Sequence, residues 1–273
     1  MGTDVTVVAQ NDGDIDSTRH WFESAEQICS RFRPDSELSQ VNDQQEERVQ
    51  LSPVLGAVMR EAQDARRRTD GLVDVGIGSA VKAWGYDRTF IEVADLKQAP
   101  ARQQVPAWSI TGDRLNRPEP ILFDLGGIAK GWSCDIAVER GMAAIVSAGG
   151  DVRSSHPQAI VPIADPWGNI ITEVQLGVGA LATSSTTRRR WKVGKGEAHH
   201  LIDPRTASPA DSPILSATVL AETAARAEAG AKAVLLLGAE GLAWADRCSW
   251  LSGALVVWND GSVYATSQIK QAA

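Results

Sequence analysis

The sequence has few of the features that mark secreted, membrane-spanning or nucleic-acid-binding proteins. Among its 273 residues are three cysteines, Cys29, Cys134 and Cys248, and their odd number and wide spacing indicate reduced thiols rather than a disulfide framework or a zinc site. No apolar run approaches the roughly 20 residues that a membrane-spanning helix requires. A basic excess is lacking as well. The formal net charge of -7 therefore argues against a nucleic-acid partner.

The first ten residues, MGTDVTVVAQ, lack the charged segment and apolar run of a secretory signal. A cytoplasmic location is therefore expected, and an extracytoplasmic one stays open if the start has been trimmed. What the chain has is core material, since 43% of its residues are hydrophobic and the mean hydropathy is -0.16. Its length suits one large domain or two subdomains.

Strand and helix signals alternate in the first part of the chain. Residues 5–10 predict a strand, and the turn-rich NDGD at 11–14 ends it. Apolar residues at helical spacing predict a helix from Ser17 to about Phe32, which Pro34 stops.

The clearest helix signal lies between residues 52 and 71. Ser52 is an N-cap residue, Pro53 suits the first helical position, and Gly71 suits the position just past the end. The later predicted elements are a buried strand at 120–125, a helix at 129–141, a strand at 143–151, strands over 158–193, a strand at 214–221, a helix at 223–238 and a hairpin at 254–267. This interleaving without a linker predicts a mixed α/β or α+β chain.

A glycine-bearing turn within residues 123–137, FDLGGIAKGWSCDIA, leads from a predicted strand into a predicted helix. Without side chains at Gly126 and Gly127, an anion could approach backbone N–H groups, and the helix N-terminus adds partial positive charge. Lys130 could add a full charge. The spacing matches neither the Rossmann nor the Walker A pattern, so an ordinary tight turn with a solvated Lys130 is the alternative.

Seven motifs along the chain carry a family resemblance: MGT (1–3), SRFRPDSELSQVN (30–42), GLVDVGIGSAVKAWGY (71–86), DLGGIAKGW (124–132), SAGGDVR (147–153), ATSS (182–185) and HHLIDPRTASP (199–209). In this order they closely resemble the ApbE family, the FAD:protein FMN transferases, formerly named thiamine-biosynthesis lipoproteins. The resemblance extends from residue 1 to about residue 240. It implies an α+β flavin transferase fold over residues 1–273, either one domain or two intertwined subdomains, with an FAD pocket between subdomains.

The resemblance also implies a reaction. Family members bind FAD with a divalent metal, usually magnesium, and break its pyrophosphate. FMN passes to a Ser or Thr hydroxyl of a partner flavoprotein, and AMP leaves. Some relatives instead hydrolyse FAD to FMN and AMP. A non-catalytic FAD-binding protein that has kept the pocket and lost the chemistry is a further alternative.

Motif positions suggest roles for single residues. By resemblance, His200 before LIDP is the candidate general base, because a neutral imidazole accepts a hydroxyl proton near pH 7. Asp203 either orients His200 or caps its own turn. Asp124, Ala129 and Lys130 are expected at the diphosphate and metal, Ala129 through its carbonyl and Lys130 through its charge.

A larger set of positions is implied as flavin-binding, with plain turn and strand residues as the alternative for each. Its members are Met1, Gly2, Thr3, Arg31, Asn42, Gly126, Gly127, Ser147, Gly149, Gly150, Asp151 and Thr206. His199 is expected to point away from His200, so a metal site built on both is not predicted.

The helix before Gly238 departs from the family pattern. The family sequence is close to ADALATALFVLG, whose Asp and Thr ligate the metal, whereas this chain has Glu228 and Lys232 at those positions. Four residues apart on a helix, the two side chains share one face. Glu228 could still ligate magnesium, but a protonated Lys232 cannot. Either the two form an ordinary helix ion pair, or the Lys232 ammonium stands where the metal charge would be.

Three smaller departures concern the pocket. Asp151 stands where GGN is usual and adds negative charge near the flavin unless it is paired. Ala207 stands where the family favours the glycine of DPRTG, and Ser185 replaces the glycine of ATSG.

Overall fold

The computed structural model of the protein describes residues 2–9 and 11–269. The helices are α1 Asp12–Cys29, α2 Glu37–Asp43, α3 Pro53–Arg68, α4 Gly78–Ala83, α5 Ala129–Glu139, α6 Ala224–Leu237 and α7 Gly241–Arg247. The strands are β1 Val5–Val8, β2 Arg48–Gln50, β3 Ser109–Thr111, β4 Arg114–Asn116, β5 Ile145–Ala148, β6 Asp151–Ser154, β7 Ile160–Ala164, β8 Ile170–Gln175, β9 Gly179–Ser185, β10 Arg190–Val193, β11 Gly196–His199, β12 Ile202–Asp203, β13 Ser208–Pro209, β14 Ile214–Ala221, β15 Leu251–Trp258 and β16 Val263–Ala265.

The chain divides into two compact units that interleave along the sequence. The first unit holds mainly residues 23–129 and 188–210, and the second holds mainly residues 3–22, 130–187 and 211–269. None of the helices in the described part of the chain combines the length and apolarity that crossing a bilayer requires.

The second unit is built on a seven-stranded sheet in the order β1-β5-β6-β9-β14-β15-β16, antiparallel at every pairing. Helix α6 packs against β9 and β14. Its helical face is rich in alanine, and Gly230 lies so close to the sheet that a Cβ there would stand 2.9 Å from Val219. Leu220 alternates to the opposite face and packs against the cluster that contains Ile163 and Val174 of the β7–β8 hairpin. The unit thus has one helix layer and one hairpin layer around its sheet.

The first unit contains the three-stranded sheet β2-β4-β3, the hairpins β10–β11 and β12–β13, and helix α3. Ser52 Oγ accepts a hydrogen bond from the Leu55 amide at 3.2 Å, which caps α3, and Pro53 takes the first helical position. The prediction for this helix is confirmed. Its apolar stripe, from Leu55 to Ala65, is buried.

Most local predictions in the second unit are confirmed as well. Helix α5 and helix α6 begin and end within two residues of the predicted bounds, and β14 coincides with the predicted strand at 214–221. The hairpin β15–β16 turns at the predicted residues 259–261. Antiparallel sheets with helices packed on them confirm the α+β class.

Helix α1 begins earlier than predicted and ends earlier too. Residues 12–14 are its first turn rather than a separate turn, because Asn11 Oδ1 accepts a hydrogen bond from the Asp14 amide at 3.1 Å and caps the helix. The apolar stripe that predicted a helix to about Phe32 extends beyond the helical backbone, which ends at Cys29.

The predicted strand at 120–125 is wrong, although its side chains Ile121, Phe123 and Leu125 are buried. Its backbone groups bind irregular partners instead of a neighbouring strand. Asn42 and Phe123 exchange two hydrogen bonds of 2.8 and 3.0 Å, and the Asp124 amide donates to the carbonyl of Val75 at 2.8 Å. The apolar run therefore correctly predicted that this segment is buried, but incorrectly predicted that it pairs with a neighbouring strand.

Candidate functional site

The second unit buries a cluster of four charged side chains, Lys130, Asp151, Glu228 and Lys232, which we call the charged cluster. Oε1 of Glu228 accepts hydrogen bonds from Lys130 Nζ at 2.8 Å and from Lys232 Nζ at 2.9 Å. Lys130 Nζ also lies 3.2 Å from Oδ2 of Asp151. The predicted sharing of one helical face by Glu228 and Lys232 is confirmed. The cluster joins α5, α6 and the start of β6.

Close contact between α5 and α6 positions the charged cluster. A Cβ at Gly131 would lie 2.8 Å from the backbone of Ala224, so only glycine permits this approach. The Gly131 amide lies 3.4 Å from Oε2 of Glu228. Asp135, one turn further along α5, accepts hydrogen bonds from the amides of Ala224 and Ala225 at 2.7 and 3.0 Å and caps α6.

The lysines of the charged cluster lie nearer to solvent than its carboxylates. The side chains of Lys130 and Lys232 are 13% and 18% exposed, against 4% for Asp151 and 3% for Glu228. An anion that approaches the cluster therefore meets ammonium groups first. With all four groups ionised, two positive and two negative charges cancel.

The charges of the cluster fix one another's protonation. Burial of Lys130 alone would lower its pKa, but the carboxylates of Asp151 and Glu228 outweigh burial and raise it. Burial of Glu228 would raise its pKa, and the ammonium groups of Lys130 and Lys232 outweigh that effect and lower it. For Asp151, burial and the neighbouring Glu228 carboxylate raise the pKa. Lys130 and Glu228 are therefore the firmly ionised pair.

The charged cluster does not fit the magnesium ion that the resemblance implies. Magnesium is held by free oxygen ligands and keeps several waters, whereas both oxygens of Glu228 already accept hydrogen bonds. A cation at Glu228 would also stand beside two ammonium groups. Among the described residues, no group of three or more His, Cys, Asp or Glu side chains is placed to hold a metal. Ala129, the expected carbonyl ligand, is the buried first residue of α5, where carbonyls normally accept intrahelical hydrogen bonds.

In the first unit, Asp124 closes the glycine turn. Its Oδ1 accepts the Gly126 amide at 2.8 Å, and its Oδ2 accepts Nε of Arg31 at 2.7 Å. The guanidinium of Arg31 also donates to the carbonyl of Tyr86 and lies 4.1 Å from the ring centroid of Phe32. The Asp124 carboxylate, expected at the diphosphate, is thus engaged by an arginine and by its own turn.

The two neighbouring histidines have different environments. His199 is buried, and its Nδ1 lies 3.3 Å from the Leu201 amide, which assigns its Nε2 as the donor to the Ala210 carbonyl at 3.1 Å. Burial lowers the pKa of His199, so it stays neutral and holds its turn. His200 is half-buried with its Nδ1 atom inside. The role of His200 as a base stays a prediction.

Asp203 serves its own turn in this structure. Its Oδ1 accepts the Arg205 amide at 2.8 Å, and its carboxylate pairs with the Arg205 guanidinium at 2.7 Å. The Asp203 carbonyl accepts the amides of Thr206 and Ala207 at 3.2 and 2.7 Å, and Thr206 is exposed. Ala207 has φ of 54°, a left-handed conformation that explains why glycine suits this position.

Several of the predicted flavin neighbours lie near β1, at the edge of the seven-stranded sheet. Thr3 packs against Gly149, since a Cβ there would lie 2.6 Å from the Thr3 hydroxyl, and Gly150 follows with φ of 107°. Ser147 lies half-buried in β5, opposite Thr6 of β1. Gly2 lies before β1 and has φ of 59°. Gly127 belongs to the turn before α5. Met1 lies outside the described residues.

The predictions from sequence did not include two of the ion pairs in the second unit. Asp151, whose place near the flavin stays a prediction, pairs with Lys130. Arg153 lies 3.3 Å from Asp135, the residue that caps α6. The available signal for the first pair was the aspartate of the GGD motif, because a carboxylate that faces an apolar helix needs a positive partner and that helix carries a lysine. No local pattern marks the second.

Comparison with known proteins identifies the family. The family model described as "ApbE family" matches residues 1–253. The chain belongs to the ApbE family. An FAD:protein FMN transferase of Rhodobacter capsulatus is 29% identical over 241 residues, which cover 81% of this chain and 46% of that protein. One of Vibrio cholerae is 28% identical over 274 residues, which cover 91% of this chain and 81% of that protein. The chain thus spans about half the length of the first relative.

Solved structures show that the chain has the ApbE fold. The ApbE protein of Thermotoga maritima superposes with a TM-score of 0.83 at 24% identity, covering 97% of this chain and 94% of that chain. The flavin transferase ApbE of Vibrio cholerae superposes with a TM-score of 0.81 at 24% identity, covering 98% and 95%. The resemblance stated from the motifs is confirmed at the level of family and fold.

Proposed function

We propose that this ApbE family member is an FAD:protein FMN transferase. The observation that carries the proposal is the family match over residues 1–253, with relatives of that activity aligned over most of the chain. The charged cluster supports it, because Lys130 follows the glycine turn directly in sequence and the lysines lie on the cluster's accessible side. Paired ammonium groups suit the charge of a diphosphate.

In the proposed reaction, a Ser or Thr hydroxyl oxygen of an acceptor flavoprotein attacks the phosphorus of the FMN half of FAD. A phosphoester bond forms to FMN, the bond from that phosphorus to the bridging oxygen breaks, and AMP leaves with that oxygen. The hydroxyl proton passes to a base, for which we propose His200. Lys130 is the proposed stabiliser of the charge that develops on the phosphoryl oxygens. No step is assigned to magnesium, because the charged cluster does not suit it.

A second candidate function is non-catalytic FAD binding. The observation that favours it is the double occupation of Glu228 by two lysines, which polarise a phosphoryl oxygen less than a divalent cation does. The hydrolysis of FAD to FMN and AMP would use water in place of the acceptor hydroxyl.

One incubation separates these functions. The purified protein is mixed with FAD, first alone and then with a flavoprotein acceptor domain, and AMP is measured by chromatography while covalent flavin is measured by in-gel fluorescence. A transferase produces AMP and a fluorescent acceptor, but no fluorescent band when the acceptor's target Ser or Thr is replaced by alanine. AMP without the acceptor indicates hydrolysis. Bound flavin without AMP in either mixture overturns the transferase proposal.

A further inference from the structure

We propose that the Lys232 ammonium supplies the charge that a divalent cation would otherwise supply, so that this protein binds the FAD diphosphate without a divalent metal. The inference rests on the proposed function for its ligand. It concerns how the diphosphate is held, and it can fail while the transferase proposal survives.

Glu228 already has hydrogen-bond partners at both carboxylate oxygens. This carboxylate is the cluster's candidate cation ligand, and its Oε1 is shared by two ammonium groups at 2.8 and 2.9 Å. Its Oε2 faces the Gly131 amide. A metal would have to displace at least one lysine from a side chain that is 3% exposed. A displaced, partly buried ammonium would lose its counter-charge, which is strongly unfavourable.

The positive groups of the charged cluster are its more exposed members. Lys232 is the most exposed of the four side chains, and Asp151 and Glu228 are less exposed than either lysine. The carboxylates therefore hold the ammonium groups in place, as they would hold a metal. A diphosphate oxygen that reaches the cluster can bind the ammonium groups directly.

The charge balance of the cluster also disfavours a divalent cation. Its two lysines are met by at most two ionised carboxylates, so that the cluster has no net negative charge to attract a divalent cation. The fourth member, Asp151, is bound to Lys130 and not presented on its own. The cluster is thus complete as an anion-binding group, with Lys232 as its outer cation.

The native protein provides the direct test. FAD is titrated into the protein in EDTA and in magnesium, and binding is followed by flavin fluorescence. We expect the two dissociation constants to agree within about twofold, well under 1.4 kcal/mol. Tightening by magnesium of about tenfold or more overturns this inference and leaves the transferase proposal standing. Absence of FAD binding in both buffers overturns both.

Substitutions then identify the residue. Lys232→Met is expected to weaken FAD binding in EDTA by about tenfold or more, because one charge-assisted contact to the diphosphate is lost. Binding of riboflavin, which has no phosphate, should not change, and this separates a lost charge from a damaged pocket. Arg226→Met is the matched control, since it removes a positive charge from the same helix at the Glu222 pair. Equal FAD affinity in Lys232→Met and Arg226→Met overturns the inference.

A gain of metal dependence makes the test stricter. Lys232→Thr replaces the ammonium with a hydroxyl and releases one contact on Glu228, which leaves two oxygen ligands on one helical face. We expect this variant to bind FAD weakly in EDTA and more tightly in magnesium. Lys232→Arg keeps the charge and should bind FAD equally in both buffers. Metal-dependent binding by Lys232→Arg would contradict the inference.

Discussion

Arg31 and Asp124 lie 93 positions apart in the chain, and Nε of Arg31 stands 2.7 Å from Oδ2 of Asp124. The arginine side chain is 5% exposed and the aspartate is 15% exposed. The pair connects the segment just after helix α1 to the glycine turn. If this carboxylate is removed, the buried Arg31 guanidinium still has the free-energy cost of its desolvation but no longer has a counter-charge to offset it.

Removal of that carboxylate should destabilise the protein. Asp124→Ala is expected to lower the free energy of unfolding by about 3 kcal/mol, as measured by urea denaturation. Asp35→Ala is the control, because its pair with Arg33 is exposed and should contribute little to stability. Equal losses in both variants would show that the Arg31 pair contributes no more than a surface pair.

A side chain at Gly131 should separate α5 from α6. Gly131→Ala gains helix propensity of about 1 kcal/mol, but its Cβ would stand 2.8 Å from the Ala224 backbone, which cannot yield as a side chain can. We expect a net loss of about 2 kcal/mol in urea denaturation and weaker FAD binding, because Lys130 moves with α5. In Gly196→Ala, by contrast, the nearest atom lies 3.8 Å away, and little change is expected.

The buried cap of α6 should make stability depend on pH. Burial raises the pKa of Asp135 from 3.8 to about 7. Between these values the folded protein keeps a proton that the unfolded chain has released, so the free energy of unfolding falls as pH rises, by up to about 1.4 kcal/mol per pH unit. Asp135→Asn should flatten this slope in urea denaturation across the same range.

Two groups of the charged cluster also contribute to the pH dependence of stability. The raised pKa of Asp151 acts in the same direction as that of Asp135, so Asp135→Asn should leave a residual slope. The lowered pKa of Glu228 acts oppositely, since its stabilisation is lost as pH falls below its ordinary range. Asp260→Asn, at an exposed turn, should leave the slope above pH 4 unchanged; an equal flattening there would contradict the assignment to Asp135.

The two histidines should respond differently to the same substitution. His200→Asn is expected to lower FMN transfer by about 100-fold or more while FAD affinity and unfolding stay unchanged, because only proton transfer is removed. His199→Asn should lower the free energy of unfolding, since His199 is buried and holds Ala210 and Leu201. Transfer rates and urea denaturation on both variants decide the matter. Unchanged transfer in His200→Asn contradicts its role as base.

Elements with complete local signals could be predicted from the sequence. Helix α3 has its cap, its first proline and its terminal glycine within 20 positions, and β14 is a mostly apolar segment between turns. The segment at 120–125 carried the same apolar signal as β14 but binds Asn42 and Val75. Those partners are far away in sequence, so no local pattern could separate the two cases.

The candidate site was predicted in part. The pairing of Glu228 with Lys232 follows from helical spacing and needed no knowledge of the fold. Asp151 and Lys130 meet only because strand β6 and helix α5 lie together, and the sequence gives no measure of that distance. The place of Asp124 at the diphosphate and metal stays a prediction, and no local pattern indicated that Arg31, just beyond the end of α1, binds it.

Lys130 has a further consequence for the chemical reactivity of the protein. An amine reacts with acylating reagents only in its neutral form, and the carboxylates of Asp151 and Glu228 raise the pKa of Lys130. Lys195, by contrast, is exposed to solvent on the surface. Lysine-specific labelling followed by peptide mapping should therefore leave Lys130 unmodified long after Lys195 has reacted. An intact charged cluster would then be detected by the absence of the label on Lys130.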